Sequence, residues 1–595
     1  MPGNVVGIAE VWVRSPRQGI AYLRKVSATF ILALAVVWPS VASSQSMLSS
    51  AESPSTLPVI YQDVAARQVV AVNQLAGAAP STHPSPVFPF RPRDAALLQR
   101  AQSTSGFPNL SQPTAPIRLL DRSSGASAAA VSLQSLASFP LVSLRQQFKA
   151  FGTDQVQNPA DTQVAVGPRS LLELVNSSGS VWSKSGAELG LFDLNAFFGV
   201  PDGYGVGDPR VLYDRQSGRW LASAGAIDSA NDSQVYLAVS LSDDPLGSWI
   251  VYTSPTNGVG ILADQPKLGV SDDKIVLSWN EYSGSSSRFS GEEIWILDKS
   301  SVLAASNDVS VGLIGPDPAR FGAVPVLSLS STSDIYLVYN NSDPYLGKNT
   351  AQPTLGVVAI SGTPSGGNLA RREWDLPMLA TTVPPNALQP GAAPAIATGD
   401  DRLLGAAWQN GILWTSADDA CLPPGEVTSR ACFRLIQVDT SQATPRILQS
   451  FDVAATGADV FYPAVTVDAL GNAFIGYGES SVSAFPSFRA TVQLASETNS
   501  VLSPSVPIAT SASAYDACGT NCEVDGQNQN RWGDYSGAAV DPTDPSRIWL
   551  AGEYVPDAAD SASWGTSTAE LTLDSGALSP GTTGSYRLFF PLVGK

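Results

Sequence analysis

One double-strand unit recurs along this chain and limits what it can fold into. Its clearest copy covers residues 206–225, VGDPRVLYDRQSGRWLASAG. An Asp opens a short apolar run, Gln216-Ser217-Gly218 makes a polar turn, and a second apolar run follows. That pattern is two antiparallel strands on a tight connection. Copies begin at Asp161, Asp208, Asp264, Ala323, Ala392, Phe461 and Asp534, spaced 47 to 73 residues apart. Between them lie further strand-like runs (QVYLAVSL, EEIWILD, TLGVVAIS, FRLIQVD) and weaker outer ones (SWIVYT, RILQSFDV). Four short strands cannot bury both their faces alone, but neighbours in a ring bury them. The expectation is an all-β chain, a seven-bladed β-propeller with four-stranded blades. A strand near residues 141–148 or 586–590 is expected to complete the last blade.

Ahead of the repeats, Arg14, Arg17, Arg24 and Lys25 precede an apolar run at 28–38, followed by Ser40-Val41-Ala42-Ser43. A basic lead, a short apolar core and small residues make a signal peptide. The core is about half the roughly 20 residues a membrane span needs. Residues 1–43 are therefore read as signal peptide and 44–145, rich in Ala, Ser and Pro, as a pro-segment or spacer. Residues 146–595 are read as the propeller. The expected place of work is outside the cytoplasm, extracellular or periplasmic, as a monomer with no membrane span. Four cysteines fit export, and local disulfides Cys421–Cys432 and Cys518–Cys522 are expected.

Composition excludes several functions. Asp and Glu number 52 against 34 Lys and Arg, a net charge of −18. That balance repels phosphate backbones and anionic lipid, so nucleic acid is not an expected partner. The single histidine, His83, sits in low-complexity sequence (THPSPVFPF). A histidine-based triad or metal site in the repeats is thereby excluded.

In a blade, the start of the innermost strand and the end of the next converge on one rim of the ring. First-strand starts supply Asp161, Asp208, Asp264 and Asp534, with Arg210, Lys267 and Arg531 beside them. Second-strand ends supply Asn176, Glu281, Asn340, Gln409, Glu479 and Glu553, with Trp279, Tyr282, Tyr339 and Tyr554 adjacent. Three roles suit such a rim. An Asp at a strand start caps backbone N–H groups or pairs with Arg. Several oxygens together hold Ca²⁺. Two carboxyls about 5 to 9.5 Å apart hydrolyse glycosides. A second Ca²⁺ candidate is the segment 516–535, where Asp516, Glu523, Asp525 and Asp534 surround Gly526.

The runs GDPRVLYD, GRWLASAG and LAVSLSDDPLGSW together resemble a blade of the propeller glycoside hydrolases of the arabinanase and β-xylosidase kind. The resemblance implies that Asp208 is a pKa-modulating carboxylate. It places Asp161 where the base stands and Glu281 where the acid stands. The repeat region as a whole, with RWGDYSGAAVDPTD and WLAGEY near its end, resembles secreted bacterial propellers of the sialidase-like group without assigned activity. The sialidase Asp-box is absent from the sequence.

Two functions are therefore expected to compete. One is binding of an extracellular polysaccharide or protein at the channel rim, through Arg210, Asp264, Lys267, Trp279, Asn340, Gln409, Glu479, Arg531, Asp534 and Glu553. The other is glycoside hydrolysis by Asp161, Asp208 and Glu281.

Overall fold

The computed structural model describes residues 59–75, 115–121, 142–152, 159–254, 260–283, 288–341, 353–391, 393–497, 501–517, 523–524 and 527–573. The expected signal peptide, His83, Cys518, Cys522 and the strand near 586–590 lie outside them.

The chain is all-β, and its repeats are antiparallel meanders of four strands. The first is Gln163–Val166, Ser170–Val175, Ser178–Ser183 and Glu188–Asp193. The second begins with Tyr204–Asp214 and Arg219–Asp228, and the third with Ile261–Val270 and Lys274–Ser283. The fourth begins with Val324–Pro325 and Ile335–Asn340, and the fifth with Leu403–Gln409 and Ile412–Cys421. Asp459–Val467 and Ala473–Ser481 open the sixth. The last comprises Gly537–Val540, Ile548–Tyr554, Gly565–Leu573 and, from far upstream, Val142–Gly152.

The architecture is a β-propeller, because the large apolar clusters are drawn from successive meanders. Val206, Trp220 and Trp249 pack on Leu172 and Val181 of the meander before. Trp414 and Phe433 pack on Val465 and Ile475 of the meander after. Val164 and Leu171 of the first meander meet Ala539 and Trp549 of the last, which closes the ring. Trp220, Trp249, Trp414 and Trp549 are fully buried. Removing each such side chain from water contributes on the order of 2–3 kcal/mol.

Seven separate sheets were expected, but the described strands form five sheets of four strands or more. Four have four strands and one has fifteen; a three-stranded sheet stands beside them. The difference lies in edge pairing. The second, third and fifth meanders are hydrogen-bonded into the fifteen-stranded sheet through strands that belong to none of them. Ile60–Ala71 pairs antiparallel with Ser248–Thr253 on one side and Asp308–Asp317 on the other. Leu327–Ser328 pairs parallel with the innermost strands of the third and fifth meanders. Ile117–Leu119 pairs parallel with Arg446–Ala454. An outer edge with free N–H and C=O groups invites such pairing.

Closure uses the upstream strand of the two anticipated. Val142 lies opposite Leu573 and Lys149 opposite Ser567. Cys421 and Cys432 form the expected disulfide, tying the ends of adjacent strands 11 residues apart in sequence.

Candidate functional site: a buried acidic hub at one rim

The innermost strands share a local break near their starts. Pairing is interrupted between Gly207 and Arg210, between Asp264 and Lys267, and between Phe461 and Ala464. The residues inside the breaks are Asp208-Pro209, Gln265-Pro266 and Tyr462-Pro463. Proline fits there because a bulge asks for no ladder donor. The residue ahead of each proline is left-handed: φ is 52° at Asp208, 47° at Gln265 and 50° at Tyr462. Asp161, before the first strand, has φ 50°. For residues with a side chain this costs on the order of 1–3 kcal/mol each.

The turned backbone points its N–H groups at neighbouring meanders, and side chains accept them. Asp208 N donates to Asn176 Oδ1 (2.9 Å) and Tyr462 N to Asp418 Oδ1 (2.7 Å). Gly322 N donates to Asn280 Oδ1 (2.9 Å). Gln265 N donates to Asp208 Oδ2 (3.2 Å) and Asp534 N to Asp161 Oδ1 (2.7 Å). Each bond runs from one meander to the next. They act as latches, the capping role open to a rim Asp.

The latches draw Asp161, Asp208 and Asp534 together, with one oxygen of each within 4.8 Å of the others. All three are buried, at 1 %, 3 % and 5 % exposure. Asn176 Nδ2 donates to Asp161 Oδ2 (2.8 Å), Gln265 Nε2 to Asp534 Oδ2 (2.9 Å), and Arg531 pairs with Asp534 Oδ1 (2.7 Å). Asp264 stands 3.9 Å from Arg402, which is clamped by Asp400. Arg210 lies over the Tyr535 ring, 3.5 Å from its centre. Glu553 is buried at 5 % exposure, and neither carboxylate oxygen has a hydrogen-bond partner. A methyl placed on Gly533 would lie 3.5 Å from Glu553 Oε2 and 3.6 Å from Asp161 Oδ1, so both oxygens border one small space.

Burial dominates the electrostatics. It pushes the Asp161 carboxyl well above the usual range, with Asp534 and Asp208 adding to the effect. Asp208 rises to about 7, from burial first and then from Asp264 and Asp534. Glu553 is raised by burial and by Asp161. Lys267 moves the other way, lowered to about 8 by burial.

The remaining anticipated residues divide by the strand they occupy. Glu281 is buried in the third meander opposite Ala263 and Gly291, and is not one of the three clustered carboxylates. Its neighbour Asn280 faces the fourth meander, so alternation turns Glu281 to the opposite face of the sheet. Trp279, Tyr282 and Tyr339, expected on the rim at strand ends, are buried instead, at 3 %, 0 % and 5 % exposure. Trp279 packs on Trp295, 5.4 Å between rings. Asn340 is a latch, its Nδ2 donating to Asp401 O (2.7 Å). Glu479 lies 3.5 Å from Arg489. Gln409 is at the wrong end of its strand. The run expected to be a second strand, Leu403–Gln409, is an innermost one, and Gln409 sits at its hairpin with Ile412. The rim residues of that meander are Asp400, Arg402 and Asp418 instead. In the 516–535 candidate, Asp516 is half-buried and Asp534 belongs to the hub. Asp525 and the side chain of Glu523 lie outside the described residues.

Sequence reasoning also passed over Gln265 and Tyr462. Their signal is the following proline. Aligning copies on Asp-Pro, Gln-Pro and Tyr-Pro sets both residues level with Asp208; aligning on Asp put Asp264 there instead.

No family model and no curated protein matches this chain. Solved structures are similar at low identity. The Hadza microbial sialidase Hz136 is 10% identical, with TM-score 0.33, over 67% of this chain and 73% of that one. The α-L-arabinofuranosidase Arb93A from Fusarium graminearum is 9% identical, TM-score 0.33, over 73% and 98%. Drosophila semaphorin 1b is 10% identical, TM-score 0.30, over 72% and 87%. At such distances the function has to be argued from this chain's own residues. Among the described residues no helix is long and apolar enough to cross a membrane.

Proposed function

We propose that the chain is a secreted β-propeller that binds an extracellular polysaccharide or protein without catalysis. The supporting observation is the burial of the rim. Asp161, Asp208, Asp264, Asp534 and Glu553 are each 5 % exposed or less. A glycosidase must set its two carboxyls on an open cleft that admits a sugar ring. Here those groups face each other and the backbone of neighbouring blades. Ligand contact then falls to the exposed side chains at the same end, among them Leu388, Val482 and Phe485. Leu388 and Val482 flank Ser480, whose hydroxyl donates to Leu388 O (2.6 Å). An aromatic face such as Phe485 offers a stacking surface for a sugar or a protein side chain.

The second reading, hydrolysis by Asp161, Asp208 and Glu281, draws on the raised Asp208 carboxyl and its closeness to Asp161. A polysaccharide panel separates the two. Binding without release of reducing sugar is expected, undiminished in Asp208→Asn and weakened about tenfold in Phe485→Ala. Sugar release that Asp208→Asn or Glu281→Gln abolishes, at unchanged melting temperature, would establish the enzyme instead.

A further inference from the structure

We propose that Asp161, Asp208 and Asp534 hold a hard divalent cation, Ca²⁺ by size, at the seam where the ring closes, with the Glu553 carboxylate, outside that cluster but next to Asp161, as the fourth acidic group facing the ion. The site is independent of what the outer face binds. Three carboxylates from three segments place one oxygen each within 4.8 Å of the others. Oxygens on opposite sides of Ca²⁺ stand about 4.6–5.2 Å apart, given metal–oxygen distances of 2.3–2.6 Å, whereas Mg²⁺ draws them to about 4.2 Å. The donor set is all oxygen, which suits a hard cation rather than zinc.

Glu553 is the independent pointer. Its carboxylate is buried beside Asp161, and neither oxygen meets a donor. A buried acid without a partner is costly unless something positive stands against it. Arg531 serves Asp534, and Arg402 is held by Asp400 and Gln265. No cation is paired with Glu553 among the described residues. The oxygens of Asp161 each accept one hydrogen bond and keep a second lone pair for a metal.

The position gives the ion a structural task. Asp161 opens the first meander, Asp208 lies in the second, and Asp534 and Glu553 belong to the last. A cation there joins the first and last meanders, which also share the apolar cluster containing Val164 and Trp549.

The test uses the full chain stripped with chelator and then titrated with Ca²⁺, following melting temperature. A saturable rise of about 3 °C or more is expected, with a dissociation constant of roughly 10⁻⁴ M or tighter. Glu553→Gln and Asp208→Asn should lose the rise, and Asp516→Asn should keep it. Glu553→Gln is the principal variant, because its carboxylate accepts no hydrogen bond that the amide would break. Tb³⁺ luminescence of the unmodified protein, displaced by Ca²⁺, gives a readout that needs no variant. The proposal is overturned if the stripped chain shows no response to Ca²⁺, or if Glu553→Gln responds as the unmodified protein does. Loss of the response in Asp516→Asn alone would also overturn it.

Discussion

Glu173 is a buried carboxyl with no charge beside it. It lies in the first meander and takes hydroxyl donors from Thr566 (2.5 Å) and Thr568 (3.2 Å) of the last. Burial raises it to about 7, against an ordinary value of 4.5. The folded chain therefore holds a proton there that the unfolded chain releases. The resulting stability is fully present below about pH 4.5 and is lost as pH rises through 7. Across that window the loss amounts to about 3 kcal/mol. Urea unfolding of the unmodified chain and of Glu173→Gln at pH 5 and pH 8 tests this. The unmodified chain should lose stability relative to the variant at the higher pH; parallel behaviour would refute the assignment. At this scale the sequence was partly legible. Asp161, Asp208 and Asp534 could be picked out because an Asp at the start of a strand is visible in a line of letters. That Glu553 would be left without a donor was not, since burial depends on which blades meet.

The recurring element is the bulge with its left-handed residue and the latch that receives its N–H. Backbone strain at Asp208, Gln265 and Tyr462 is offset by hydrogen bonds from one meander to the next. Asn280 shows what a latch contributes, since it alone receives Gly322 N from the fourth meander. Asn280→Ala strands a buried donor and should cost about 1–3 kcal/mol, against less than about 0.5 for the exposed Gln442→Ala. Equal melting temperatures for the two would contradict the latch. Strand pairs were readable wherever a polar turn separated two apolar runs, as at Gln216-Ser217-Gly218. The fifth repeat misled because the Pro-Ala run at 392–398 imitates an innermost strand. The true one, Leu403–Gln409, then passed for its partner.

For the whole molecule, the ring shape followed from repetition, but its edge pairing did not. Ile60–Ala71 comes from sequence too weakly patterned to mark as a strand, yet it bridges the outer edges of two meanders. Its partners are supplied by chain more than 170 residues away, which no local pattern encodes. Closure was foreseeable because a ring must complete its last sheet, and Val142–Gly152 does so beside Gly565–Leu573.

The account rests on a rim whose carboxylates and bulge amides are interior, held blade to blade and shut off from solvent. Native-state hydrogen exchange read on the amides of Asp208, Gln265, Tyr462 and Asp534 tests that directly. All four should exchange as slowly as the strands that flank them, since each donates to a buried side chain. Exchange within seconds, at the rate of exposed turns, would mean an open mouth and would return the rim to the status of a substrate cleft.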